Sequence, residues 1–190
     1  SQAAIWLTVF VVGIYTILGG LAAVVVTDAM QMVIMFIGAG ALLGLSFWEI
    51  GGWSNMVQTI SAMGPQFEQH FNLLISSQID TPYPWSGMLM GLGIVLSTAY
   101  FSSNQAVIQR VLGARSEWDA KASMVLAAFL KLLIPVLVLL PGLAALALYP
   151  ELENPDEAVP KLVRELLPPG LAGLVFAAFF AALMSSVDSY

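Results

Sequence analysis

Near the end of the chain, Ala182, Ser185, Ser186 and Ser189 recur at the spacing that puts side chains on one helical face. Two adjacent hydroxyls with nearby backbone carbonyls form a hard-oxygen surface, which suits a small hard cation. Asp188 adds a carboxylate that needs a cation or water close by. The competing reading is structural: serines in membrane helices often bond back to the i−4 carbonyl or join helices. A second chemical signal is Lys131, set inside the apolar run Ala122–Tyr149. A charge there costs several kcal/mol unless it meets a partner or a watery cavity, so it marks a polar pathway. Pro135, four residues on, removes the hydrogen bond to the Lys131 carbonyl and leaves an ammonium and a freed carbonyl on one turn. Packing of the lysine against a neighbouring helix's carbonyls is the structural alternative.

Two further groups stand out. Asp28 follows Thr27, with Gln31 three residues later, which fits either an N-cap with a capping-box partner or a place on an ion path. Ser97, Tyr100, Phe101 and Asn104 form a polar–aromatic stripe, suited to a helix–helix contact or to the wall of a ligand cavity. No acid–base pair, metal-ligand cluster or phosphate loop is visible, and His70 is the single histidine. The chain is therefore expected not to be an enzyme and to need no organic cofactor.

The elements that position these residues are apolar. Of the 190 residues, 59% are hydrophobic and 9% charged, against about 25% charged in an ordinary globular domain. Runs of about 18 or more apolar residues read as membrane-spanning helices. The sequence predicts an all-α polytopic membrane protein with about five crossings, near 3–18, 21–48, 85–111, 122–149 and 170–190. All 190 residues read as one transmembrane unit, with no soluble domain within it. The Gly19–Gly20 pair separates the first two crossings. The segment 49–84 is a long connection with short interfacial helices expected within Ser54–Phe71. Trp48, Trp53, Tyr83 and Trp85 fall where aromatic belts form. The acidic loop after Tyr149 carries a short amphipathic helix near Val159–Leu167. Arg110, Arg115 and Lys121 place the short connections on the cytoplasmic side, although Lys161 and Arg164 lie opposite. Six basic residues and no cysteine exclude nucleic acid as a partner and thiolate chemistry. Because Ser1 is not an initiator methionine and Tyr190 ends a helical pattern, the chain is expected to be an internal piece of a longer protein.

Four stretches in order resemble the sodium/solute symporter family, near its sodium–sugar branch: YTILGGLAAVVVTDAMQ, NQAVIQRVLGARS, AAFLKLLIPVLVLLPGL and GLAGLVFAAFFAALMSSVDS. The resemblance implies a fold of two inverted five-helix repeats around a midplane site, of which this chain would be the fourth to eighth core helices. It implies sodium bound by the Ser185 and Ser186 hydroxyls and the Ala182 carbonyl, with the other carbonyl ligands on a core helix outside the chain. It implies Asp28 on the sodium path, to which Asp188 is added here. It also implies Tyr100 stacking on the solute as an inner gate and Lys131 bonding solute hydroxyls. Ser97 stands where a bacterial sugar transporter has a sugar-binding asparagine, which leaves hexose specificity open. The function so implied is sodium-coupled symport of a small organic solute, a sugar or polyol, in a plasma or inner membrane. The partners are then the solute, the sodium ion and the lipid bilayer. A solute sensor or scaffold on the same fold is the alternative.

Overall fold

In a lipid interior each backbone N–H and C=O must find its partner within the segment, which forces apolar runs into helices. The computed structural model of the chain describes residues 2–64, 67, 70–72, 74, 75, 84–152 and 154–189. Its ordered elements are helical: α1 (Gln2–Ile50), α2 (Trp53–Ala62), α3 (Trp85–Ser103), α4 (Gln105–Leu112), α5 (Glu117–Leu148), α6 (Ala158–Leu166) and α7 (Pro169–Val187). Four of them, α1, α3, α5 and α7, are long and apolar enough to cross a membrane. The protein is thus an all-helical, membrane-spanning chain.

The first two expected crossings are carried by α1, whose backbone leaves helical geometry at Gly20 (φ 58°, ψ −161°). Only glycine occupies that region without strain. A Cβ on Gly19 would overlap the Cβ of Ala23, so the corner needs both glycines.

Two compact units make up the chain. The first comprises residues 1–56 and 127–190. Within it, α1 packs along α7, and Gly38 makes the close approach: a Cβ there would lie 2.9 Å from that of Ala178. Small residues at such crossings let helix backbones meet in lipid. Leu42, Ala145, Leu162, Val163, Leu167 and Val175 form the core. The amphipathic helix after the acidic loop, α6, buries Leu162 and Val163 in that core and keeps its charged side out. Asn154 accepts a hydrogen bond from the N–H of Asp156 and starts the turn that leads into α6. At the same end, Lys161 donates to Glu151 (3.1 Å) and lies 4.3 Å from the centre of the Tyr149 ring.

The second unit comprises residues 57–126. Here the stretch expected as one helix over 85–111 is divided. Asn104 is extended (ψ 118°), and its side chain accepts from the N–H of Val107, ending α3 and capping α4. Inside α3, Met88–Leu96 is a π-helix. The helix expected from 122 begins at Glu117 instead. Ser116 accepts from the N–H of Asp119 and donates to its carboxylate, a reciprocal cap that recruits the charged residues into the first turn. Lys121 and Glu117 then pair one turn apart. Interfacial structure in the long connection is represented by α2. Trp48, Trp53 and Trp85 are exposed, as boundary aromatics are; Tyr83 lies outside the described residues.

Candidate functional site

The C-terminal end of α7 supplies one group of polar atoms. Ser185 turns away from its own helix and donates to Oδ1 of Asp28 on α1 (2.5 Å). Ser186 and Ser189 bond back to the carbonyls of Ala182 (2.8 Å) and Ser185 (2.6 Å). The two serine readings therefore divide by residue: Ser185 joins helices, while Ser186 and Ser189 satisfy their own helix. Asp28 does not cap a helix. It lies inside α1, past the Gly20 corner, with a partner 157 residues away in sequence.

Asp188, just past the end of α7, accepts from the hydroxyl of Tyr15 (2.8 Å) and lies 3.5 Å from Ser189 Oγ. Gln31 and Asp28 lie near the Tyr15 hydroxyl. Tyr15 precedes the Gly20 corner and Asp28 follows it, so both arms of α1 are tied to the end of α7. Thr16 Oγ1 and Gln31 Oε1 are buried there without a hydrogen-bond partner. Buried polar atoms in that condition call for a water or an ion. Sequence reasoning named Asp28, Ser185 and Asp188 but missed Tyr15. The signal available was a phenol within an apolar run, just ahead of a glycine pair.

Among the described residues no group of three or more His, Cys, Asp or Glu gathers as a metal site. The oxygens that could hold a cation here are hydroxyls, carbonyls and single carboxylates, the donor chemistry of a weakly held hard ion. Ala182 has a second face. With Met35, Ala39, Val138, Pro141 and Phe179 it lines an apolar cavity of about 230 Å³ between α1, α5 and α7.

Lys131 is carried by α5 and is exposed in this chain, with Pro135 one turn on. It does not line that cavity. In the second unit, Ser97 donates to the carbonyl of Leu92 (2.9 Å), and Tyr100 meets Phe101 edge to face (centres 5.4 Å apart, 86° between planes). Ser102 and Ser103 bond back to Thr98 and Ala99. The ring of Tyr100 is exposed.

Comparison with known proteins adds to this geometry. A family model described as "Sodium:solute symporter family" matches residues 1–190. "Sodium/myo-inositol cotransporter 2" of Rattus norvegicus is 38% identical over 207 residues, covering 94% of this chain and 30% of that protein. "Sodium/glucose cotransporter 1" of Sus scrofa is 34% identical over 218 residues, covering 98% of this chain and 33% of that protein. The chain spans about a third of the length of the curated relatives it matches.

Proposed function

The chain belongs to the sodium:solute symporter family, and from that premise we propose that it forms part of a transporter core coupling sodium entry to uptake of a sugar or polyol. The observation that carries the reading is the match of nearly the whole chain to sodium/myo-inositol and sodium/glucose cotransporters. All 190 residues are taken as one portion of that core, in a plasma or inner membrane. Sodium is held by the Ala182 carbonyl and the Ser185 and Ser186 hydroxyls. Ser186 now donates to the Ala182 carbonyl, so both oxygens stand side by side and a cation accepts their lone pairs once that hydroxyl turns. Asp28 and Asp188 receive the ion on its way to the cytoplasm. Lys131, Tyr100 and Ser97 belong to the solute site.

The energetics suffice. A tenfold sodium gradient supplies about 1.4 kcal/mol. One charge crossing 100 mV supplies about 2.3 kcal/mol. Together they sustain a solute gradient of several hundredfold, about 1.4 kcal/mol per decade. Coupling requires that sodium and solute bind one state of the carrier better than the other.

The test is uptake by the full-length protein in proteoliposomes, with an inward sodium gradient, across myo-inositol, glucose and a small carboxylate. Sodium-driven accumulation of the polyol or the hexose is expected. Accumulation that ignores sodium, or that favours the carboxylate alone, rejects the reading.

A further inference from the structure

In the second unit, Met88–Leu96 winds as a π-helix and hands over to α-helical geometry at Ser97. Two donors of Ser97 converge on the Leu92 carbonyl at the junction. The backbone N–H of Ser97 reaches the carbonyls of Leu92 and Ile94, and its hydroxyl donates to the same Leu92 carbonyl at 2.9 Å. Serine in a helix ordinarily bonds to the carbonyl four residues back, as Ser102 and Ser103 do here. Ser97 bonds five back, which is the spacing of the π-helix itself. The hydroxyl therefore adds a second bond that exists only in the wide register.

That register decides where the next turn points. A helix that loses one residue of offset turns everything beyond it by about 100°. Tyr100 and Phe101 lie within the turn that follows, packed on one another. The stretch ahead of them is soft. Gly91 and Gly93 lack a Cβ, none of Met88–Leu96 is buried, and a Cβ would touch nothing at Gly91 and make only ordinary contacts with Met88 and Leu89 at Gly93. π-helical turns occur mostly as single-turn bulges and often at functional sites.

We propose that Ser97 is a positioning residue: its hydroxyl locks the π register of Met88–Leu96 and so sets the direction in which Tyr100 leaves the helix. This rests on the reading of Tyr100 as part of the solute site. It adds to the reading of Ser97 as a solute-site residue: with its proton committed to Leu92, the hydroxyl can meet solute only as an acceptor.

The experiment uses the full-length protein with other cysteines replaced. Single cysteines at Thr98, Ala99, Ser102 and Ser103 are labelled by a membrane-impermeant thiol reagent in three backgrounds: Ser97, Ser97→Thr and Ser97→Val. Threonine and valine share a shape and differ in the hydroxyl. Threonine should keep the labelling pattern. Valine should shift it by one position, and should raise the half-saturating myo-inositol concentration about tenfold, the loss of one net hydrogen bond. Half-saturating sodium should move less than twofold in both. Ser97→Ala should reproduce the valine result and carries the test if valine is not tolerated. A labelling pattern unchanged in both the valine and alanine variants overturns the proposal, whether or not myo-inositol affinity falls. A shifted pattern with unchanged affinity upholds the register lock and removes Tyr100 from the solute site, so the two ideas fail separately.

Discussion

Ser185 donates its hydroxyl proton to Oδ1 of Asp28 and so ties the end of α7 to the middle of α1. A hydrogen bond to a charged acceptor contributes about 1.5–3 kcal/mol net. The donated proton leaves the lone pairs of the Ser185 oxygen uncommitted to Asp28. Ser185→Ala removes the tie and the proposed sodium ligand, and should raise half-saturating sodium by roughly 10- to 100-fold. Asp28→Asn keeps an acceptor for Ser185 but removes the charge, so it should cost about 1 kcal/mol of stability, the difference between a charged and a neutral acceptor, and release sodium differently. Sodium-activated uptake measured for both variants checks this. Equal sodium activation in wild type and Ser185→Ala would remove Ser185 from the ion site.

The Gly20 corner makes a separate prediction about stability. Its φ of 58° with ψ of −161° is open only to glycine. Gly20→Ala should therefore cost about 1–3 kcal/mol, the range for a residue held in such a region. Gly40 is the control, since it lies in the same helix, has helical geometry, and a Cβ there meets nothing. Gly40→Ala should be neutral or slightly stabilising, because alanine is the better helix former. Thermal unfolding of the purified full-length protein in detergent compares the two. Equal melting temperatures for the two variants would mean that the corner carries no strain against a Cβ.

These two sites also show what the sequence could and could not reveal. Apolar length alone gave the helices, because lipid leaves the backbone few other options. The glycine pair was visible as a break in the pattern. The starts and stops were less legible. Ser116 recruits Glu117 and Asp119 into α5, and Asn104 ends α3 early, and both act through local side-chain hydrogen bonds that periodicity does not register. The π-helix is likewise invisible to a 3.6-residue pattern. Among the site residues, spacing grouped Ala182, Ser185, Ser186 and Ser189 on one helix. It could not reveal that Ser185 bonds to α1 while Ser186 and Ser189 bond to their own helix. Tyr15 escaped notice because its role depends on Asp188, 173 residues away.

Lys131 and Tyr100 are each proposed to contact the solute, and each is tested by itself. Lys131→Ala should weaken solute binding more than sodium binding, by about tenfold or more for the loss of a charge-assisted hydrogen bond. Tyr100→Phe keeps the ring and should retain most of the affinity; Tyr100→Ala loses the stacking face and should not. Solute and sodium titrations of uptake separate the cases. Equal losses for both substrates in Lys131→Ala would indicate a helix-packing lysine.

The end of the molecule bearing Tyr149 should show its own pH dependence. Burial pushes the Tyr149 phenol up from 10.0 to about 12, reinforced by a hydrogen bond to Glu165 and by the negative charges of Glu165, Glu49 and Glu151. A phenol raised on folding stays protonated more readily in the folded state, so its contribution to stability is complete below pH 10.0 and is lost as pH rises toward about 12. Glu151 acts at the other extreme. Its carboxyl is held below the ordinary 4.5 by a backbone hydrogen bond and by Lys161. Its contribution is present above that value and fades as pH falls through the lowered one, and screening keeps it small because the side chain is exposed. Tyr149→Phe should therefore flatten the alkaline limb of stability and leave the acid limb unchanged. Glu151→Gln should do the reverse, weakly. Melting temperatures of wild type and both variants across pH check this, the difference from wild type isolating each group from other titrating side chains. An alkaline limb as steep in Tyr149→Phe as in wild type would show that the phenol does not contribute.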